Sequence, residues 1–352
     1  MCFYLQQFAV ESLIDGLIRT QSGVNLFLLN PSGIIFGQNA RLDVGGSFVG
    51  STANALQFGN IGFFSATNKN IPSALLTINP SALFFNQINA APIVNNSIAP
   101  AGRDPSRFNT FSLRVADGQS LLLVGGDINI NNGRLNAFGG RVELGGLAGQ
   151  GTVGLNVDDK NLSLSFPDGV TRADVSLTNA AQVNVRAGNS GGIKISARNL
   201  NLLTGSTLRA GIGFNLGAVD GTNKAGDIEV NATESVKIQD GSFISNAVFG
   251  IGDGGNINIK AGSFTLADEA FVVTSTFGDG SAGNITLQAS GQVAFTNGSY
   301  IATSGVGLGN AGDVKISTAG NVIFDAQKSF PPNITGIFSQ VEPFSRTAHQ
   351  FS

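Results

Sequence analysis

The chain has 352 residues, 42% apolar and only 12% charged, with a formal net charge of −3, which excludes a disordered, highly charged tail. With 48 Gly and charge at half the usual fraction, a helical bundle is a poor fit. Twenty Lys and Arg scattered against 23 Asp and Glu give no basic face for nucleic acid, and a single Cys2 with a single His349 cannot form an internal disulfide or a Cys/His metal site, so no cofactor is expected.

Residues 1–11 lack a basic start followed by an apolar stretch and small residues, so no signal peptide is read in this chain. No apolar run reaches the roughly 18 residues of a spanning helix, so no integral membrane segment is expected. The first clear elements are two apolar strands at 26–36, separated by Asn30-Pro31-Ser32-Gly33 and continuing into Ile34. Asn first, Pro second and Gly fourth fit a type I turn, because Pro presets φ and Asn can bond its own backbone. A weaker copy, Asn79-Pro80-Ser81-Ala82, sits in residues 75–85 and also reads as a corner. Pro92, Pro100 and Pro105 place residues 86–109 in a loop outside the regular structure, with a soft boundary near 110. Residues 113–149 return to short apolar strands, and Asp158-Asp159-Lys160 reads as a solvated turn, since adjacent strand residues face opposite ways.

The strongest signal is an internal repeat across 190–324. Gly192-Ile193-Lys194-Ile195, Asp227-Ile228-Glu229-Val230, Asn256-Ile257-Asn258-Ile259, Asn284-Ile285-Thr286-Leu287 and Asp313-Val314-Lys315-Ile316 begin 35, 29, 28 and 29 residues apart. Each unit carries a second strand, as at Leu200 and Leu202 or Val236 and Ile238. A third follows a glycine-serine corner, with Leu208, Ile244, Val272 and Ile301 in register. Three short strands per coil, each paired with its equivalent one coil away, define an all-β parallel β-helix, a single-stranded solenoid of the pectin-lyase-like class. Side chains of period two put one apolar column inside and a polar one, Lys194, Glu229, Asn258, Thr286 and Lys315, outside.

Asp227, Asn256, Asn284 and Asp313 lead successive coils and are expected to stack as a hydrogen-bonded corner ladder. The rival reading is calcium, from Gly252-Asp253-Gly254-Gly255-Asn256 and Gly278-Asp279-Gly280, but such calcium repeats have a nine-residue period that is absent here. The repeat ends at Pro331-Pro332, leaving 327–352 as an irregular tail.

The run Ile14-Asp15-Gly16-Leu17-Ile18, the stretch 25–37 and Arg41-Leu42-Asp43-Val44-Gly45-Gly46-Ser47-Phe48 resemble the haemagglutination-activity, or two-partner secretion, domain of filamentous haemagglutinin exoproteins, of the cyanobacterial type. Asn30, Pro31, Ser32, Gly33 and Ile34 correspond to that family's Asn-Pro-Asn-Gly-Ile motif, with Ser32 in the third place. The resemblance implies a right-handed β-helix, with 1–110 as the C-terminal part of the secretion domain and 111–326 as β-helix repeats. It further implies recognition by an outer-membrane transporter, passage through its pore unfolded, and an extracellular or cell-surface location. Asn30 to Ile34 then has two readings, transporter contact or a corner that shapes the fold. The family's signal peptide and an earlier Asn-Pro-Asn-Leu motif are missing from this chain, which is therefore expected to be part of a longer protein, poorly soluble when expressed from Met1. The function implied is a non-enzymatic adhesin binding a host, matrix or cell-surface ligand. The alternatives are a β-helix polysaccharide lyase or hydrolase, disfavoured by the absence of Trp and of a suitably placed acid pair, and a passive stalk of a larger effector.

Overall fold

The computed structural model describes residues 2–5, 10–21, 23–66, 79–158, 161–189, 191–217, 223–278, 280–306, 309–326 and 334–342. Every element among them is a β-strand. The strands wind as coils opening at Cys2, Leu26, Phe48, Ser120, Arg141, Gly192, Ile228, Ile257, Ile285 and Val314. Each strand pairs in parallel with its counterpart in the next coil, so the fold is the parallel β-helix expected.

Three parallel faces run along the coils. In the first, one interior column passes through Leu26, Phe48, Leu121, Val142, Ile193, Ile228, Ile257, Ile285 and Val314. In the second, Ile34, Ile93, Ile128, Val175, Leu200, Val236, Phe264, Val293 and Val322 align. The third aligns Leu113, Leu135, Val183, Leu208, Ile244, Val272, Ile301 and Ile337. Most of these side chains belong to one continuous core, fully buried at its centre, each contributing roughly 1.5–3 kcal/mol by leaving water. Gly192–Leu202 and Ile228–Ile238 run through the bend between the first two faces, which joins them into one extended sheet.

A five-stranded antiparallel sheet leaves the coils and packs against the outside of the first face. It is built from Ala55–Phe58, Gly62–Ser65, Ala82–Phe85, Gly151–Asp158 and Asn161–Ser165. Under it, Phe27, Leu29, Val49, Leu122 and Val124 are fully buried beside Leu56, Phe58, Leu83, Phe85, Val153 and Leu162. This explains why Leu26–Leu29 and residues 121–124 are apolar without alternation: both faces of those strands are dry.

The structure departs from the sequence reading in three places. Within 86–109, Ile93–Asn95 is a regular strand between Ile34–Phe36 and Ile128–Asn131. Pro92 fits before it because its carbonyl, not an N–H, is needed to receive Ile34 N–H at 3.2 Å. The truly external part is the hairpin of Pro100–Arg103 and Asn109–Phe111, and the coils continue across residue 110. Within 327–352, Gly336–Glu342 resumes the third face against Tyr300–Val306, so the stack continues past Asp325; Pro331 and Pro332 lie outside the described residues. The second Asn-Pro-Ser copy is not a coil corner, since Ala82–Phe85 belongs to the antiparallel sheet, while 75–78 lie outside the described residues.

Candidate recognition corner and repeat ladder

Asn30 ends a first-face strand and turns the chain into the second. Its side chain is fully buried. Its Oδ1 accepts the Ser32 N–H at 2.9 Å, and its Nδ2 donates to Ser12 Oγ at 2.6 Å and to the Val10 carbonyl at 3.2 Å. Gly33 N–H closes the turn on the Asn30 carbonyl at 3.1 Å. Gly33 has φ +118, a conformation an L side chain rarely adopts, and a Cβ there would crowd the Glu11 side chain at 3.2 Å. Pro31 is buried, with its carbonyl receiving Gln87 Nε2 at 3.1 Å, and Ser32 is half-buried. Ile34 is fully buried in the main core. The five residues form one contiguous corner whose polar centre faces inward.

Nearby, Asp15 receives the Asn39 N–H at 2.8 Å and Asn39 Nδ2 at 2.9 Å. These bonds, the backbone one foremost, hold its carboxyl below the usual carboxylate range. Ser12 and Gln87 completed the Asn30 corner without any sequence signal. A readable signal did exist for the device itself. Asn30, Asn95 and Asn184 each accept the N–H two residues on, at 2.9, 3.1 and 3.1 Å, so one Asx turn closes three corners.

The residues leading the repeats come together as a ladder along the axis. Asp227 Oδ1 accepts Asn256 N–H at 2.7 Å, Asn256 Oδ1 accepts Asn284 N–H at 3.0 Å, and Asn284 Oδ1 accepts Asp313 N–H at 2.8 Å. The bonds are side chain to backbone rather than amide to amide. That is why Asp and Asn interchange: only an acceptor oxygen is required. Asp253 Oδ1 accepts Ser281 N–H at 2.8 Å in the same corner; Asp279 lies outside the described residues.

A second ladder, unnoticed in the sequence, lies inside. Asn246, Thr274 and Thr303 are buried and pair in register on the third face, and Ser339 continues their column at its exposed end. Asn246 Nδ2 donates to Gly226 O at 2.9 Å, Thr303 Oγ1 to Gly312 O at 2.6 Å, and Thr274 Oγ1 to Gly283 O. These bonds satisfy carbonyls that the glycine corners turn inward. Asp158 is exposed at the tip of an antiparallel hairpin, where it pairs with Asn161; Asp159 and Lys160 lie outside the described residues.

The sequence pattern of the TPS secretion domain matches residues 9–196. The solved HMW1 secretion domain from Haemophilus influenzae is similar at 17% identity, covering 90% of this chain and 80% of its own, with a TM-score of 0.49. No curated protein matches the chain. With more than half its length matched, and with the Asn30 corner inside the matched region, the chain belongs to the TPS secretion domain family.

Proposed function

We propose that this chain is the transport-recognised and adhesive part of an exoprotein, presenting the flanks of its β-helix to a host, matrix or cell-surface ligand. Family membership supplies the coarse part. A TPS domain interacts with the outer-membrane transporter of its two-partner system, exoproteins of this kind are secreted or surface-located, and the family is non-catalytic. The observation that carries the adhesive part is the outer column Lys194, Glu229, Asn258, Thr286 and Lys315, in register coil after coil, which offers extended polar area rather than a closed cleft.

In this reading Asn30, Pro31, Ser32, Gly33 and Ile34 serve the transporter indirectly, by fixing the corner that shapes the recognised surface. Their inward orientation supports it. Asp227, Asn256, Asn284 and Asp313 serve the stack as a structural ladder. The test is co-expression of the chain, behind a signal peptide, with its cognate transporter in a Gram-negative host. Transporter-dependent appearance in the medium, followed by binding of the purified material to cells or matrix, is expected. Export without any adhesion would favour the stalk alternative, and turnover of pectin or alginate would overturn the non-enzymatic reading.

A further inference from the structure

The arginines that look dispersed in the sequence gather on the outside of the third face. Asn136, Asn184 and Arg209 occupy one outward column, with Arg134 two residues before Asn136 and Arg186 two residues after Asn184. Each guanidinium lies on a phenylalanine ring: Arg134 over Phe111 at 5.4 Å, Arg209 over Phe243 at 4.9 Å and Arg186 over Phe249 at 5.2 Å. The external hairpin frames the patch. Ser106 Oγ donates to the Phe214 carbonyl at 3.2 Å, and Phe108 meets Phe214 edge-on at 6.4 Å.

The patch is short of counter-charge. Asp117 is engaged with Arg114 at 2.8 Å, which leaves Asp104 as the acid felt by Arg186. The Nε atoms of Arg186 and Arg209 are buried without a hydrogen-bond partner. Burial, and then the neighbouring Arg209, pulls Arg186 down to about 10; burial, and then Arg134, lowers Arg209 as well. Like charges held together in a half-dry setting disfavour one another, and an oxyanion placed among them relieves both the repulsion and the lost solvation.

We propose that Arg134, Arg186 and Arg209 form a binding site for an acidic polysaccharide, its carboxylates meeting the guanidinium groups in planar, paired hydrogen bonds. The rings that lie against Arg209 and Arg186 argue against nucleic acid. Phe243 has Arg209 on it and Phe271 stacked at 4.6 Å, while Phe249 lies between Phe214 at 4.4 Å and Phe277 at 5.0 Å with Arg186 beside it. With their faces occupied, these rings offer no platform on which bases can stack. A chain of uronic acids needs no such platform. The site does not depend on the transporter or on adhesion.

The experiment measures binding of the full chain to oligogalacturonate, with dextran sulfate, neutral dextran and oligo-dT in parallel arms. Oligogalacturonate is expected to bind, to weaken as salt rises, and to lose about tenfold or more in affinity in the R134Q/R209Q variant. R134K/R209K, which keeps the charge but not the planar fork, is expected to fall between. Asp104→Asn, which removes the acid acting on Arg186 while keeping the acceptor for Phe108 N–H, is expected to tighten binding; this arm carries the test if the double variant does not fold. Undiminished binding in R134Q/R209Q, unchanged affinity in D104N, tighter binding of oligo-dT or dextran sulfate than of oligogalacturonate, or no oligogalacturonate binding would each overturn the proposal.

Discussion

Replacing Asn30 with Ala separates a structural corner from a contact residue. The substitution deletes the acceptor for Ser32 N–H and both donors to Ser12 Oγ and Val10 O, at a site with no solvent access. Each lost bond contributes about 1 kcal/mol net, and a buried partner left unsatisfied costs about 1–3 kcal/mol. With partial relaxation, a loss of about 3 kcal/mol is expected. At about 2–4 °C per kcal/mol, this lowers the melting temperature of a unit the size of the matched region by roughly 6–12 °C. Because stacked coils open locally, the loss should also appear as faster hydrogen exchange at the Ser12 and Gly33 amides, which bond to Gly33 O and Asn30 O. Secretion should fall in step with stability across a series that includes the milder Asn30→Ser. An N30A protein with unchanged melting and exchange, yet no secretion, would refute the corner and favour direct contact with the transporter.

Other outcomes follow from the same geometry. Gly283→Ala sets a Cβ on the Gly255 carbonyl of the adjacent coil and should unzip the C-terminal coils, whereas Gly192→Ala, whose Cβ meets nothing closer than the Asp227 carbonyl at 3.4 Å, should melt like the parent. Ile257→Ala, fully buried in the first-face column, should cost about 2–5 kcal/mol, seen as earlier loss of the C-terminal repeats in denaturant. Glu143→Ala should loosen the hairpin of Gly151–Asp158 and Asn161–Ser165, because the buried carboxylate accepts Leu164 N–H at 2.8 Å and Arg141 Nη1 at 2.9 Å; limited proteolysis within 151–165 reads it. Asp174 is held below its ordinary value, chiefly by hydrogen bonds from Arg198 at 2.8 Å. Its stabilisation is therefore present above the unfolded value of about 3.9 and is lost as pH falls through the lower folded value, so Asp174→Asn should narrow the melting difference between neutral pH and pH values below about 4.

The regular coils were legible because identical demands recur. Ile193, Ile228, Ile257 and Ile285 all face the interior at one position, and a period of two leaves their neighbours outside. The Asn30 turn was legible too, since Asn, Pro and Gly have individual backbone preferences. Its partners were not: Ser12 and Gln87 reach it only because coils stack and an external segment folds back. Ile93–Asn95 was hidden by Pro92, which reads as a break although it sits where no N–H is needed, and Gly336–Glu342 lies beyond the last repeat legible in the sequence.

Local pattern, then, settled the β-helix, its repeat length and the leading Asp and Asn positions, because those depend on periodicity and on single-residue propensities. Pairing over long sequence distances settled the rest. Only folding placed an antiparallel sheet over Phe27 and Leu122, carried Asn30 inward, and drew Arg134, Arg186 and Arg209 together over phenylalanine rings. The reason is geometric: coil stacking sets residues 25 and 36 positions apart side by side, as with Asn184, Arg209 and Ser245, and irregular insertions between coils make that distance unreadable from the chain alone.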